Sequence, residues 1–170
     1  LEDSGYVRIA RGPAVVLCDV GELGPSYLAG HAHADSLSFE ASFYGERFVV
    51  NSGTSQYGDG PERLRQRGTA AHNTVEVDGA DSSEVWGGFR VARRAKPFDA
   101  SLDDAGDALV VRCSHDGYER LPGRVRHHRE WRLGDGALSI VDRLDGTYDR
   151  ARSALHLAPD VRAEDAGRTL

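Results

Sequence analysis

Three histidines and one carboxylate stand where they could bind a metal ion or transfer a proton. His31 and His33 form a His-x-His pair, Asp35 follows two residues later, and His72 lies in a second short polar block. Residues i and i+2 of a regular strand point to the same side, so the pair would present two imidazoles to one ligand. Zn²⁺ favours imidazole nitrogen and carboxylate oxygen, usually from three or four protein groups. The spacing therefore predicts a metal site or an acid/base site.

Further side chains can complete such a metal site. His72 supplies a third imidazole if its strand lies beside the first, and Asn51, at the end of an apolar run, offers an amide oxygen. Asp35 can accept a hydrogen bond from a ligand imidazole and orient it. The remaining histidines are expected to be ordinary sheet or surface residues: His115, His127, His128 and His156.

The composition argues against several classes of protein. The 170 residues carry a net charge of −6 and their basic residues are scattered, whereas a nucleic-acid-binding surface needs a clustered basic stripe. No run of 18 apolar residues exists, so we expect no membrane-spanning helix. The chain has no Met and no signal-peptide pattern, which predicts a fragment, residues 1–170, truncated at both ends. Cys18 and Cys113 lie in apolar runs and are interpreted as buried free thiols, although a disulfide between them stays open.

Period-two alternation dominates the chain and predicts strands. Leu37, Phe39 and Ala41, for example, would share one face of a strand. Turn signals such as Asp78-Gly79 and Asp135-Gly136 separate many of the apolar runs. About nine short strands with tight turns predict an all-β fold, an antiparallel sandwich or barrel. The predicted strands cover residues 14–18, 36–43, 48–50, 74–78, 89–93, 109–113, 125–133, 138–144 and 154–157.

Residues 52–71 lack this period-two alternation. The segment is polar and rich in Gly, and Arg63, Arg65 and Arg67 stand close together in it. A loop of this length without a strand is often functional, and a disordered surface loop is the alternative. Arginines beside a histidine cluster suit a carboxylate or sulfate ligand. Tyr57, in the same segment, is either a general acid or a packing aromatic.

The cupin barrel is a competing interpretation, because it also carries a His-x-His metal site. Its pattern requires a Glu three or four residues after the second His. Here Glu40 comes seven positions after His33, and the second cupin block is missing. The residues therefore do not favour a cupin.

Six sequence blocks occur in a fixed order, strongly over residues 13–80 and diffusely beyond. They are GHAHADSLSFE from Gly30, VNSGT from Val50, RGTAAHNTV from Arg67, VDG from Val77, HDGY from His115 and VD from Val141. In this order they resemble the C-terminal β-domain of the heparinase II/III-like polysaccharide lyases. The resemblance implies a β-sandwich packed against an α/α toroid, with the active site in the cleft between them. Such lyases cleave uronic-acid-containing polysaccharides by β-elimination.

The resemblance also assigns roles by position. His31 resembles the family's active-site histidine, whereas His33 and His72 resemble its metal ligands, with Zn²⁺ as the implied ion. Asn51 stands where the family often has an Asp ligand, so weaker metal binding is expected. The divided roles of His31 and His33 require the backbone between them to depart from a regular strand.

Weaker assignments concern the substrate and the rest of the protein. Tyr57 and Arg67 are candidates for contacts with an acidic polysaccharide. The N-terminal toroid that would carry the main catalytic residues is missing, so we expect the full-length parent to be a lyase and this fragment alone to be inactive. The resemblance suggests a periplasmic or secreted protein. The alternative is a non-catalytic carbohydrate-binding or structural sandwich whose histidines stabilise the fold.

Overall fold

Two four-stranded antiparallel sheets face each other in the computed structural model, which describes residues 4–25, 27, 28 and 30–162. The first sheet consists, in spatial order, of β1 (Tyr6–Arg11), β2 (Ala14–Asp19), β3 (Phe39–Phe43) and β4 (Glu46–Val49). The second consists of β11 (Ala137–Asp145), β10 (Val125–Gly134), β9 (Ala108–Tyr118) and β8 (Pro97–Asp104). Two short pairs complete the fold: β12 (Ala151–Ser153) with β5 (Val75–Val77), and β6 (Val85–Trp86) with β7 (Arg90–Val91).

The inner faces of the two sheets form one apolar core. It contains Ile9, Ala14, Val16, Cys18, Phe39, Ala41 and Val49 from the first sheet, and Val111, Cys113, Trp131 and Leu133 from the second. Strand alternation produces this packing, because every second residue of β2 and β10 points inward. The all-β antiparallel sandwich is therefore confirmed. Both cysteines are buried and free, as interpreted from the sequence.

Tight turns fix the register of the strands. Tyr44 and Gly45 both have positive φ, 53° and 85°, in the two-residue turn between β3 and β4. Turns of this kind match the twist of an antiparallel pair, and glycine adopts them without steric cost. The two predicted strands 36–43 and 48–50 are thereby joined as a hairpin, β3 and β4.

The segment predicted as a long loop contains helical structure. Helix α1 (Pro61–Arg67) and a 3-10 helix (Thr69–Ala71) occupy much of residues 52–71. Pro61 stands in the first turn of α1, where its missing N–H removes no hydrogen bond. The inward face of the helix carries Arg63 and Arg67, both buried, so the segment is an ordered part of the fold.

Arg129 of β10 connects the second sheet to the loop before β3 and to the loop after the 3-10 helix. Its guanidinium forms an ion pair with Asp142, with Nε and Nη2 lying 2.7 and 2.8 Å from the two carboxylate oxygens. Its Nη1 donates to the carbonyl oxygens of Leu37 and Asn73, at 2.8 and 2.5 Å. Leu37 needs such support, because its φ of 60° is unfavourable for a residue with a branched side chain. The Asn73 amide in turn donates to Phe39 and Val50 carbonyls.

Two buried histidines form a hydrogen-bonded chain that ends at the same ion pair. The N–H of Gly117 donates to Nδ1 of His115 at 3.0 Å, so the proton of His115 is on Nε2. That Nε2 donates to Nδ1 of His127 at 3.2 Å, and Nε2 of His127 donates to Asp142 at 2.7 Å. Burial lowers the pKa of both imidazoles. Both residues lie on the sheet, as expected, but in its interior.

Some strand predictions differ from the structure. The strand expected at residues 154–157 is wrong: the nearest strand is β12, and within residues 154–157 only Leu157 forms an isolated bridge, with Val49. β1, β6 and β8 were not predicted. β8 is exposed along nearly all of its length, so it lacks the apolar alternation that would reveal it.

Candidate functional site

His33 and His72 meet between the loop before β3 and the 3-10 helix. Nδ1 of His33 lies 3.3 Å from Nε2 of His72, and the rings are tilted by 55° with centroids 5.2 Å apart. His72 is fully buried and His33 is partly buried. Two nitrogens at about 2.0–2.1 Å from a tetrahedral Zn²⁺ would be separated by about 3.3 Å, so the spacing of the pair suits that ion.

Asn51 lies on the opposite side of His72. Its Oδ1 is 3.0 Å from Nδ1 of His72 and also accepts a hydrogen bond from the N–H of Gly53 at 3.2 Å. Because Oδ1 is an acceptor, Nδ1 of His72 carries the proton and Nε2 has a free lone pair. In this geometry Asn51 orients the imidazole through its far nitrogen, and its role as a metal ligand stays a prediction.

Arg63 and Thr54 contact the far nitrogen of His33. Nη1 of Arg63 lies 3.1 Å from Nε2 of His33 and donates to Oγ1 of Thr54 at 2.6 Å. Since a guanidinium only donates, Nε2 accepts and Nδ1 of His33 donates to His72. A metal on Nδ1 would require the other tautomer. Oγ1 of Thr54, 3.2 Å from Nε2, is positioned to accept the relocated proton.

Asp35 completes a group of three possible metal ligands. One ligand atom from each of His33, Asp35 and His72 lies within 4.8 Å of the others. Burial raises the pKa of the Asp35 carboxyl to about 7. A nearby cation would offset that burial, because it favours the charged form of a carboxylate. Two imidazoles and one carboxylate with an open fourth position are a donor set that suits Zn²⁺.

A cavity of about 300 Å³ opens beside this group. Its lining includes His31, His33 and Asp35, together with Tyr6 and Asp19 from the first sheet. Burial, and then the charge of Asp35, raise the pKa of Asp19 to about 8. The charge of Asp19 in turn is the largest cause that raises the pKa of Tyr6 to about 12. Perturbed groups that share one cavity are typical of functional sites.

His31 and His33 have different environments although they are two residues apart. Their segment is not a strand, so the backbone departs from the regular geometry that would align the two rings. His31 is exposed, and its ring meets the Tyr57 ring edge-on, with centroids 5.8 Å apart. The backbone between His31 and His33 therefore allows the two imidazoles to serve different functions. The catalytic role of His31 and the metal-binding role of His33 stay predictions.

Arg67 is a buried side chain whose partners are backbone carbonyls, and its role in substrate binding stays a prediction. Its side chain is fully buried, and its guanidinium donates to the carbonyls of Ala32, Gly87 and Arg90 at 2.9, 2.9 and 3.1 Å. These bonds hold the loop before His33 against the β6–β7 hairpin. The geometry gives Arg67 a supporting position, and no contact in it favours the substrate role predicted from the sequence.

The site carries an excess of positive charge. Arg63 and Arg67 are buried, and within the described chain neither guanidinium forms an ion pair; their partners are carbonyls, Thr54 and His33. Burial, followed by the charges of these two arginines, lowers the pKa of His33 to about 4. Burial and the neighbouring His33 lower the pKa of His72 to about 3. The imidazoles are therefore neutral at physiological pH, as metal binding requires, and the surroundings favour anions.

Sequence reasoning missed several participants in this site. Thr54 lies in a block already singled out, but nothing in its spacing indicates a contact with His33. Arg63 was noted only as one of three neighbouring arginines. Phe89, whose ring is parallel to that of Tyr57, comes from a hairpin 32 positions along the chain, and no sequence signal joins the two.

Comparisons with known proteins agree with this fold. The sequence model of a family described as heparinase II/III-like, C-terminal, matches residues 1–170. Among solved structures, the heparinase III-BT4657 gene product is 19% identical with a TM-score of 0.70, covering 95% of this chain and 24% of its own. A heparinase III is 18% identical with a TM-score of 0.67, covering 90% and 23%. A heparan sulfate lyase mutant from Pedobacter heparinus is 20% identical with a TM-score of 0.62, covering 84% and 21%.

These comparisons also show how much of such proteins the chain represents. It spans about a quarter of the length of the solved structures it matches. Among curated proteins, no sequence matches it significantly. No helix among the described residues has the length and apolar character needed to cross a membrane.

Proposed function

Because the chain belongs to the heparinase II/III-like C-terminal family, we propose that it is the β-domain of a polysaccharide lyase that cleaves uronic-acid-containing glycans by β-elimination. The observation that carries the proposal is the position of His31, which is exposed, lines the cavity and contacts Tyr57. The chain is about a quarter as long as the matched structures, so the remaining catalytic groups are proposed to lie in a separate toroid domain.

The reaction needs two proton transfers and a masked charge. A base removes the proton next to the uronate carboxylate, the electron pair forms a carbon–carbon double bond, and the bond to the glycosidic oxygen breaks. An acid protonates the departing oxygen. The carboxylate must be neutralised, because negative charge develops on it as the proton leaves. We assign a proton transfer to His31 and a substrate contact to Tyr57.

The charges around the site support an anionic substrate. Arg63 lies under the Tyr57 ring, with its guanidinium carbon 5.3 Å from the ring centroid, and it has no carboxylate partner among the described residues. An uncompensated buried cation is costly, and an anion bound nearby offsets that cost. Positive charge at the cleft also attracts a polyanion from solution.

A zinc ion held by His33 and His72, with oxygen from Asp35, is part of the proposal. Asn51 would keep His72 in the tautomer that leaves Nε2 free, and Thr54 would accept a hydrogen bond from Nε2 of His33 in the tautomer that leaves Nδ1 free. When bound, the ion would supply a structural cross-link between the loop that carries His31 and the 3-10 helix. It would thereby hold His31 at a fixed position beside the cavity.

The decisive experiment uses the full-length protein that contains this chain. Incubation with heparan sulfate, alginate and related uronides should produce the absorbance of an unsaturated uronide. The His31→Ala variant should lose about 100-fold or more of the rate, the range for a lost acid or base, whereas Tyr148→Ala should keep it. No absorbance with any uronide would overturn the lyase assignment and favour a carbohydrate-binding or structural module.

The metal is tested separately by zinc content. Wild type should retain about one zinc per chain after dialysis, and His33→Ala and His72→Ala should not. His128→Ala, on the second sheet, serves as the histidine control. Equal zinc in all four proteins would remove the proposed ligands.

A further inference from the structure

The β6–β7 hairpin places exposed aromatic rings beside the candidate site. The Phe89 ring, at the tip, is parallel to the Tyr57 ring within 3°, with centroids 6.5 Å apart. Tyr57 is 63% exposed, and Phe89 and Trp86 are each 48% exposed. Large aromatic side chains are seldom left exposed together without a binding role.

The hairpin tip is held rigidly against the segment that carries Tyr57. Arg63 donates to the Gly88 carbonyl at 3.2 Å, and Arg67 donates to the Gly87 carbonyl at 2.9 Å. The N–H of Gly88 also donates to the Asp59 carboxylate. Gly88 lies so close to the Gly58 carbonyl that a Cβ at this position would collide with it. The two rings are therefore presented on a fixed support, which reduces the entropy lost when a ligand binds.

Positive charge without a carboxylate partner accompanies the rings. The Arg90 guanidinium stacks on Trp86, with its carbon 4.6 Å from the ring centroid, and no described carboxylate pairs with it. Arg93, three residues on, is by contrast bound by both oxygens of Glu84. Among the residues that the structure describes, no carboxylate thus pairs with the exposed Arg90 guanidinium, which stacks on the Trp86 ring and directly follows Phe89 in the chain.

We propose that Tyr57, Phe89, Trp86 and Arg90 form a subsite for an anionic sugar residue of a uronate-containing chain, an inference that rests on the proposed function. The C–H face of a pyranose packs on a flat aromatic ring. A planar guanidinium binds a carboxylate or sulfate through two parallel hydrogen bonds. A neutral glycan or an apolar protein surface would leave Arg90 without a partner. The subsite adjoins His31 through Tyr57, so it would hold a sugar next to the residue that is cleaved.

Tryptophan fluorescence of the 170-residue chain tests this subsite. The chain has two tryptophans, and Trp131 is fully buried, so quenching by acrylamide reports on Trp86. A tetrasaccharide from heparan sulfate should protect Trp86 from acrylamide, and cellotetraose, a neutral tetrasaccharide, should not. Raising the salt concentration should weaken the binding, because ion pairing at the surface is screened.

Matched variants separate the subsite from its surroundings. Phe89→Ala and Arg90→Gln should each weaken binding about five- to tenfold, and Arg90→Gln should also reduce the salt dependence. Tyr148→Ala and Arg93→Gln, an exposed aromatic and an ion-paired arginine, should bind as wild type does.

Two results would overturn the subsite. Unchanged affinity in Phe89→Ala and Arg90→Gln, with weaker binding in His31→Ala, would remove the hairpin from the binding surface and leave the proposed function intact. Failure of the tetrasaccharide to protect Trp86 would also reject the subsite. The lyase assay on the full-length protein then decides the proposed function independently.

Discussion

Arg129 and Asp142 form a bidentate ion pair in the sandwich, and the Arg129 side chain is fully buried. The same guanidinium binds the carbonyl of Leu37, two residues after Asp35, and the carbonyl of Asn73, next to His72. One side chain on the second sheet therefore fixes the relative position of both loops that carry the possible metal ligands.

Removal of this guanidinium should destabilise the protein strongly. We expect Arg129→Met to lower the free energy of unfolding by about 3–5 kcal/mol, because Asp142 is left without its cation and two carbonyls lose their donor. Urea denaturation measures the change. Arg112→Met, on the same sheet but with an exposed ion pair to Asp103 and Glu130, should cost less than about 1 kcal/mol. Similar losses in the two variants would contradict a special role for Arg129.

The assignment of oxygen ligands predicts unequal effects at Asp35 and Asn51. Asp35→Asn removes the carboxylate, and we expect zinc affinity to fall by more than about 100-fold. Asn51→Ala removes only the acceptor that orients His72, so a loss of about 10- to 100-fold is expected. Competition with a chromophoric chelator measures both affinities. A larger loss for Asn51→Ala would make Asn51 the ligand, as the sequence alone suggests.

Acid should destabilise the fold through its buried neutral histidines. His115 and His127 have lowered pKa values in the folded state, so below pH of about 6.5 the unfolded chain binds protons that the folded chain does not. Each such imidazole contributes a fall of up to about 1.4 kcal/mol per pH unit, and His33 and His72 add to it in metal-free protein. Because Asp19 changes stability in the opposite direction over this range, urea denaturation of the Asp19→Asn variant at pH 6.5, 6.0 and 5.5 should show this decline. Constant stability over that range would contradict neutral burial.

Asp19 should have the opposite effect on the pH dependence. Its raised pKa of about 8 means that the folded state holds a proton that the unfolded state releases near pH 4, so its contribution to stability is lost as the pH rises from 4 to 8. Asp19→Asn keeps the acceptor for the Gly21 N–H and removes the charge. We expect the variant to melt several degrees higher than wild type at pH 9 and at the same temperature at pH 3. A lower melting temperature at pH 9 would show that the Asp19 charge is stabilising.

Period-two alternation predicted the sandwich because it reports directly which residues face the core. Helix α1 escaped prediction, since it is short and its buried face carries Arg63 and Arg67, residue types that usually face water. The last strand was predicted at residues 154–157 and lies at Ala151–Ser153 for a related reason. β12 is exposed along its whole length, so its sequence shows no alternation of apolar and polar residues.

The site itself was predictable only in part. The histidines that meet, His33 and His72, were identified from their blocks, but their spacing of 3.3 Å depends on tertiary packing. The contact between Asn51 and His72, and the approach of Asp35 to within 4.8 Å of the two histidines, depend on loop conformation. The burial of Arg67 could not be predicted from the sequence either, because its carbonyl partners come from segments far away in the chain.

The hydrogen bonds of Arg129 also determine when the site can form during folding. They join residues separated by 92 positions, to Leu37, and by 56 positions, to Asn73. Contacts of such long sequence separation form late, because the chain entropy of closing the loop is lost before the contact stabilises it. On a ribosome, the first eighty residues would contain every histidine of the site and still lack the cation that aligns their loops. The site should therefore mature only after β10 and β11 have been synthesised and have packed.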